Sequence, residues 1–93
     1  MRITYDSAKR DRTLKERGLD FEDAPEVFAG ATLEFPDEPH DYGEVRWQTV
    51  GRLRGRLVIL VWTERADARH IISMRKGNAR EKKRYEAHLD RSG

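Results

Sequence analysis

Leu57-Val58-Ile59-Leu60-Val61-Trp62 is the longest apolar run in the chain, and the fold turns on how it is read. It is far shorter than the ~20 apolar residues that a bilayer-spanning helix needs. Its side chains are mostly branched or aromatic, and charged or glycine-bearing segments bound it, so it reads as a strand. Odd and even positions are equally apolar, which makes it the central strand of a sheet. The segments on either side, Glu44–Val50 and Arg69–Met74, read as its neighbours. Gly51–Arg56 and Glu64–Ala68 are short enough to be hairpin connections, so the three strands form an antiparallel meander.

Outward from this centre the elements alternate less regularly. Ile3-Thr4-Tyr5 reads as a short first strand, and Asp6 is a good N-cap for a helix over Ser7–Arg17 that ends at Gly18. That helix has only Ala8 and Leu14 as apolar residues, so it lies on the surface with one narrow stripe inward. A second helix is expected over Phe21–Ala29, capped by Asp20 or Asp23, burying Phe21, Ala24, Val27 and Phe28, and ended by Gly30. Pro25 is tolerated there because it falls near the first turn. Ala31–Phe35 is a further strand, Pro36–Gly43 an acidic, proline-bearing loop, and Asn78–Leu89 a final helix with Asn78 as its N-cap. The expected fold class is α+β: a single domain over residues 1–93, ordered β-α-α-β-β-β-β-α, with an antiparallel sheet and helices packed mainly on one face.

Composition narrows the function classes. Charged residues make up 39% of the 93 and apolar residues 37%, but the apolar ones are bunched into periodic runs, which indicates a folded domain with a charged exterior. There is no cysteine, so disulfides and thiolate metal sites are excluded. No hydrophobic signal segment opens the chain, and a cytoplasmic location without membrane association is the default expectation. The net charge of +2 conceals an asymmetry. Residues 1–50 hold seven Lys/Arg against twelve Asp/Glu, and residues 51–93 hold twelve against five. A basic half of this kind can steer a polyanion, unless folding interleaves it with the acidic half.

The basic half holds the chemistry. Strict alternation along Arg69-His70-Ile71-Ile72-Ser73-Met74-Arg75 places Arg69, Ile71, Ser73 and Arg75 on one face and His70, Ile72 and Met74 on the other. On the preceding strands, Arg46, Gln48 and Val50 oppose Val45, Trp47 and Thr49. Two strands thus present arginines on the sheet. Cleavage of RNA without a metal needs a base for the 2′-hydroxyl, cations at the phosphate and an acid for the leaving oxygen. Arg46, Arg65 and Arg75 suit the phosphate, since a guanidinium offers paired hydrogen bonds that lysine does not. His70, Glu44, Glu64, Glu81 and Tyr85 are the proton-transfer candidates. Arg69, Lys76, Arg80 and Lys83 extend the cationic surface. From spacing alone, ordinary surface ion pairs are the better account of these residues, with Arg75 simply neutralising Glu81. Trp47 and Trp62 read as core, and His40 and His88 have no metal-ligand spacing, so no metal or other cofactor is expected.

These residues also carry a family resemblance along most of the chain, from Tyr5 to Glu86. Tyr5-Asp6-Ser7-Ala8-Lys9 leads to Gly18 and Phe21-Glu22. Gly43-Glu44-Val45-Arg46-Trp47 closes on Val50-Gly51. Thr63-Glu64-Arg65 is followed by Ile71-Ile72-Ser73-Met74-Arg75-Lys76, then by Glu81 and Tyr85-Glu86. In this order and spacing the chain resembles the BrnT family, small toxins of bacterial type II toxin–antitoxin systems. The resemblance implies a RelE-like fold and metal-independent endonucleolytic cleavage of mRNA that blocks translation. It further implies a neighbouring antitoxin with a DNA-binding segment, through which the complex would reach operator DNA. Arg65, Arg75, Glu44, Arg46, Glu81 and Tyr85 match family motif positions. The chain departs from the pattern at Thr13, Arg17, His70, Met74 and Gly77, where the family often has Asn, His, Arg, Ala and Ala. At position 70 the exchange is compatible with a better base or with a lost phosphate ligand. A non-catalytic RNA-binding or antitoxin-binding co-repressor is the alternative function.

Overall fold

The computed structural model of the chain describes residues 1–37 and 43–92, with Ser92 described for its backbone alone. The part of the acidic loop that holds His40 lies outside the described residues. The elements are β1 (Ile3–Tyr5), α1 (Ser7–Arg17), a 3-10 turn (Phe21–Asp23), α2 (Ala24–Ala29), β2 (Leu33–Pro36), β3 (Arg46–Leu53), β4 (Arg56–Arg65), β5 (Ala68–Lys76) and α3 (Ala79–Ser92). Along the chain this is the expected order, with the second helix divided at its start. Pro25 has no N–H to return to the Phe21 carbonyl, and Ala24 instead closes a three-residue bond to that carbonyl. The expected caps form: the Asp6 side chain accepts from the Lys9 N–H, and Gly18 takes φ 69° at the end of α1.

The five strands form one sheet in the order β1-β5-β4-β3-β2. Apolar β4 is its centre. The hairpins are tighter than expected, because the strands continue into Arg54-Gly55 and Ala66-Asp67. All four of these residues have positive φ, which matches the twist of two-residue hairpin loops. The antiparallel expectation fails at one edge, where β1 pairs parallel to β5. No short connection joins those two strands, so no hairpin fixes their relative direction.

The expectation of helices mainly on one face also needs correction. β4 is apolar on both sides, and both sides are covered. On one face Leu19, Phe21, Ala24 and Val27 pack against Leu53, Val58, Leu60, Trp62, Ile71 and Met74. On the other, Leu89 of α3 packs with Val50, Leu57 and Ile59, joined by Leu33, Phe35 and Tyr85. Gly51 lets α2 approach the sheet, since a Cβ there would lie 2.7 Å from the Val27 side chain. α1 is different: none of its residues is buried, and Leu14 is 39% exposed. It is held by polar ties, with the Arg10 guanidinium donating two 2.9 Å bonds to Asp20 and Arg17 donating to the Met74 carbonyl at 2.9 Å.

Candidate active site

A single extra residue in β5 decides which side chains meet. Leu60 faces Met74 and Val61 faces Ser73, but Trp62 faces Ile71, so Ile72 is bulged out of the ladder. Every residue before it changes face relative to strict alternation. His70 therefore joins Ser73 and Arg75 on the α3 side of the sheet, while Arg69 and Ile71 turn to the Trp62 side. This corrects the face assignment made from alternation. Arg69 ends over the rings of Phe28 and Trp62, 4.3 and 4.5 Å from their centroids, with Glu34 at 3.8 Å. The same network satisfies buried Thr49, which accepts from the Trp62 indole at 2.8 Å and donates to Glu34 at 3.1 Å. Trp47 stacks on Trp62. Glu64, opposite Arg69, is likewise turned from the α3 side.

Cross-strand partners share a face, so the register arranges the α3 side in rows. Arg46, Thr63, His70 and Thr4 line up across β3, β4, β5 and β1. The next row toward α3 holds Phe35, Gln48, Val61 and Ser73, and the one after it Leu33, Val50, Ile59 and Arg75. α3 covers the apolar rows and leaves the Arg46–Thr63–His70–Thr4 row half open. Gln48 is fixed by a 2.7 Å bond to Asp37.

Around that row the polar groups hold one another. The Arg65 guanidinium donates to both carboxylate oxygens of Glu44, at 3.1 and 3.3 Å through Nη2. Arg46 Nε lies 3.9 Å from Glu44 Oε1. Thr63 donates to the Val45 carbonyl at 2.7 Å, which ties the segment carrying Glu44 to β4. The His70 Nδ1 lies 2.8 Å from Thr4 Oγ1, and in the tautomer whose Nδ1–H donates to that hydroxyl the Nε2 lone pair is left to accept a proton. Burial, then the Arg65 charge, pushes the imidazole pKa below its ordinary 6.5, against the smaller opposing pull of Glu44. The ring is consequently neutral at pH 7 and able to accept a proton.

A second constellation sits where β5 turns into α3. Arg75 donates two parallel 2.8 Å bonds to Glu81. Glu81 also accepts from the Asn78 N–H at 2.9 Å while Asn78 caps the Glu81 N–H at 2.8 Å, a reciprocal capping box. Arg75, and secondarily the Asn78 N–H, hold the Glu81 carboxyl down to about 2, so it is ionised at any neutral pH. Tyr85 stacks on Phe35 with centroids 6.2 Å apart, half-buried against the α3-side core.

The two constellations do not meet. Ile59, opposite Arg75, and Arg65 are separated by six positions of β4, roughly 20 Å of extended chain. Each guanidinium is held by a carboxylate at its own end of the face. Lys76 is exposed at the end of β5, and Arg80 and Lys83 flank an open depression on the outer side of α3. Among the described residues, no three His, Asp or Glu side chains are grouped to chelate a metal ion. Thr4, Thr63, Gln48 and Asn78 also belong to these constellations. Asn78 was readable as a cap, whereas the roles of the other three depend on register, which nothing local in the sequence announces.

The family model for the ribonuclease toxin BrnT, of type II toxin–antitoxin systems, matches residues 5–81. The matched span takes in both constellations except Thr4 and Tyr85. No curated protein matches the chain.

Proposed function

The chain belongs to the BrnT family of type II toxin–antitoxin ribonuclease toxins, and from that premise we propose that it cleaves mRNA endonucleolytically, without a metal, at the Arg46–Thr63–His70–Thr4 row. The observation that carries this reading is a neutral imidazole, oriented by Thr4, beside the Arg65–Glu44–Arg46 group. His70, with its Nδ1–H donated to Thr4, takes the proton of the 2′-hydroxyl through Nε2, and the oxygen attacks the adjacent phosphorus. A 2′,3′-cyclic phosphate forms as the 5′-oxygen leaves with a proton. Arg65 leaves Glu44 for the scissile phosphate, assisted by Arg46; the pair is partly open to solvent, where such pairs are worth only about 1 kcal/mol, so a phosphate can displace the carboxylate. Glu44, released, orients the water that gives the leaving oxygen its proton, and the proton taken by His70 returns to solvent. Glu81 acts through Arg75 as a positioning residue, and Arg75 holds a phosphate farther along the same strand of RNA.

In this reading the domain is RelE-like, acts in the cytoplasm and blocks translation. A cognate antitoxin with a DNA-binding segment neutralises it and carries the complex to operator DNA. Among the described residues no helix is long and apolar enough to cross a membrane. The test is incubation of the folded protein with RNA in excess chelator, followed by end-group analysis. Cyclic-phosphate ends, lost in His70→Ala, are expected. Intact RNA with salt-sensitive binding would overturn catalysis in favour of a co-repressor.

A further inference from the structure

β5 has nine residues and β1 only three, so β1 pairs with Arg69, His70 and Ile71 and then stops. Beyond that point the neighbour of β5 is α1. Between them lies a cleft of about 260 Å³, lined by Lys9, Arg12, Thr13, Glu16 and Arg17 from the helix and by Ile72 and Ser73 from the bulge. The helical residues fall at spacings of three and four, so they form one stripe on α1. That stripe faces the sheet edge, yet it is polar throughout, with three cations against one carboxylate.

A helix that buries no residue gains little from docking such a stripe on a strand edge. Arg17 has a structural partner in the Met74 carbonyl. Among the described residues the side chains of Lys9 and Arg12 have no hydrogen bond or ion pair, although Glu16 lies one turn from Arg12. The cleft also adjoins the candidate active site: Ser73 lies in the row next to His70, and Lys9 is close enough for its charge to act on that imidazole.

We propose that the α1–β5 cleft is a second backbone-phosphate subsite, in which Lys9 and Arg12, with Thr13 and Ser73 as hydroxyl donors, hold the phosphate of a nucleotide flanking the cleaved bond. It takes single-stranded RNA through its phosphodiester backbone and carries no base readout. The assignment rests on the ribonuclease reading above for its substrate, but its own evidence is the cleft. It supplies substrate length dependence: a dinucleotide fills only the His70 row, whereas a longer strand also fills the cleft.

The test compares wild type, Lys9→Ala/Arg12→Ala and a distal control, Arg56→Ala, each checked for native helix content. Binding of a 2′-O-methyl oligonucleotide of about eight residues, which resists cleavage, is measured against salt. The double variant should bind about tenfold more weakly, with its salt slope shallower by about one unit, as expected for one to two lost phosphate contacts on a single strand. Cleavage of a dinucleotide, measured well above the His70 titration so that loss of the Lys9 charge leaves the imidazole neutral, should fall far less than oligonucleotide binding, and the Lys9→Arg/Arg12→Lys variant should restore the slope. Unchanged affinity and slope would overturn the subsite while leaving ribonuclease activity standing. Loss of slope in a protein that cleaves no RNA would keep the subsite and remove the catalytic reading. If the double variant binds RNA normally and loses only an acidic antitoxin segment, the cleft is a protein-docking site and the proposal fails.

Discussion

The two arginine–glutamate pairs on the α3 side of the sheet have the same chemistry and opposite settings. Glu81 is built into the start of α3, where it answers Asn78 and Arg75 together, and its side chain is 20% exposed. Glu44 precedes β3 on a segment pinned by Thr63 and is 28% exposed, with Arg65 half exposed, so the pairs differ less in burial than in what else their carboxylates hold. In the first pair, breaking the ion pair also disturbs a helix cap. In the second it costs little beyond a solvent-screened contact. A bidentate geometry therefore does not by itself mark a structural pair; what else the carboxylate holds decides.

The largest expected effect separates the pairs by activity. Arg65→Ala should lower kcat/KM for RNA about 10²–10³-fold, as for removal of a transition-state cation, with little change in Tm. Arg75→Ala should lower it about tenfold, mainly through KM, and should also cost stability. Equal losses in the two variants would erase the distinction. The next effect is on stability, measured by denaturant unfolding. Glu81→Gln should destabilise by about 1–2 kcal/mol, from the lost charge partner and weakened cap. Glu44→Gln should change stability by less than about 0.5 kcal/mol.

Acid titration sharpens this further. The Glu81 carboxyl is depressed from 4.5 to about 2 in the folded protein, so its contribution is complete above the unfolded pKa. It is lost as pH falls from about 4.5 toward 2, and wild type and Glu81→Gln should converge in stability across that window. The smallest effect concerns His70. Its folded pKa lies below 6.5, so protonation favours the unfolded state, and its stabilising share declines as pH falls below about 6.5. The acid limb of the kcat/KM profile should inflect below pH 6.5, and Arg65→Ala should move that inflection upward by relieving the repulsion.

Much of this was legible in the sequence because it is written locally. β4 announces itself by the unbroken apolar run Leu57–Trp62 at its centre, and Asp6, Gly18 and Asn78 mark helix ends by side-chain chemistry that acts within a few residues. The Arg75–Glu81 ion pair was readable for the same reason, across one strand–helix junction. The β5 bulge was not. Arg69-His70-Ile71-Ile72-Ser73 contains no glycine or proline to mark an extra residue, and the two isoleucines fit either face equally well. The consequence was large, since one bulged isoleucine exchanged Arg69 for His70 beside Arg65. The parallel pairing of β1 and the roles of Thr4 and Thr63 were hidden too, because they depend on partners more than sixty and about eighteen residues away. The separation of Arg65 from Arg75 follows from strand length, which the shorter expected strands understated.

α1 anchors no side chain in the core and is moored by ties near its two ends. In hydrogen-exchange terms it belongs to the least protected class of helix, opening in excursions that leave the five strands closed. Warming or mild denaturant should thus strip the molecule in a fixed sequence. The Lys9–Arg12 stripe is lost while the imidazole still stands in its row, and the protein passes through a stage in which it retains its short-substrate chemistry but has lost its grip on long chains.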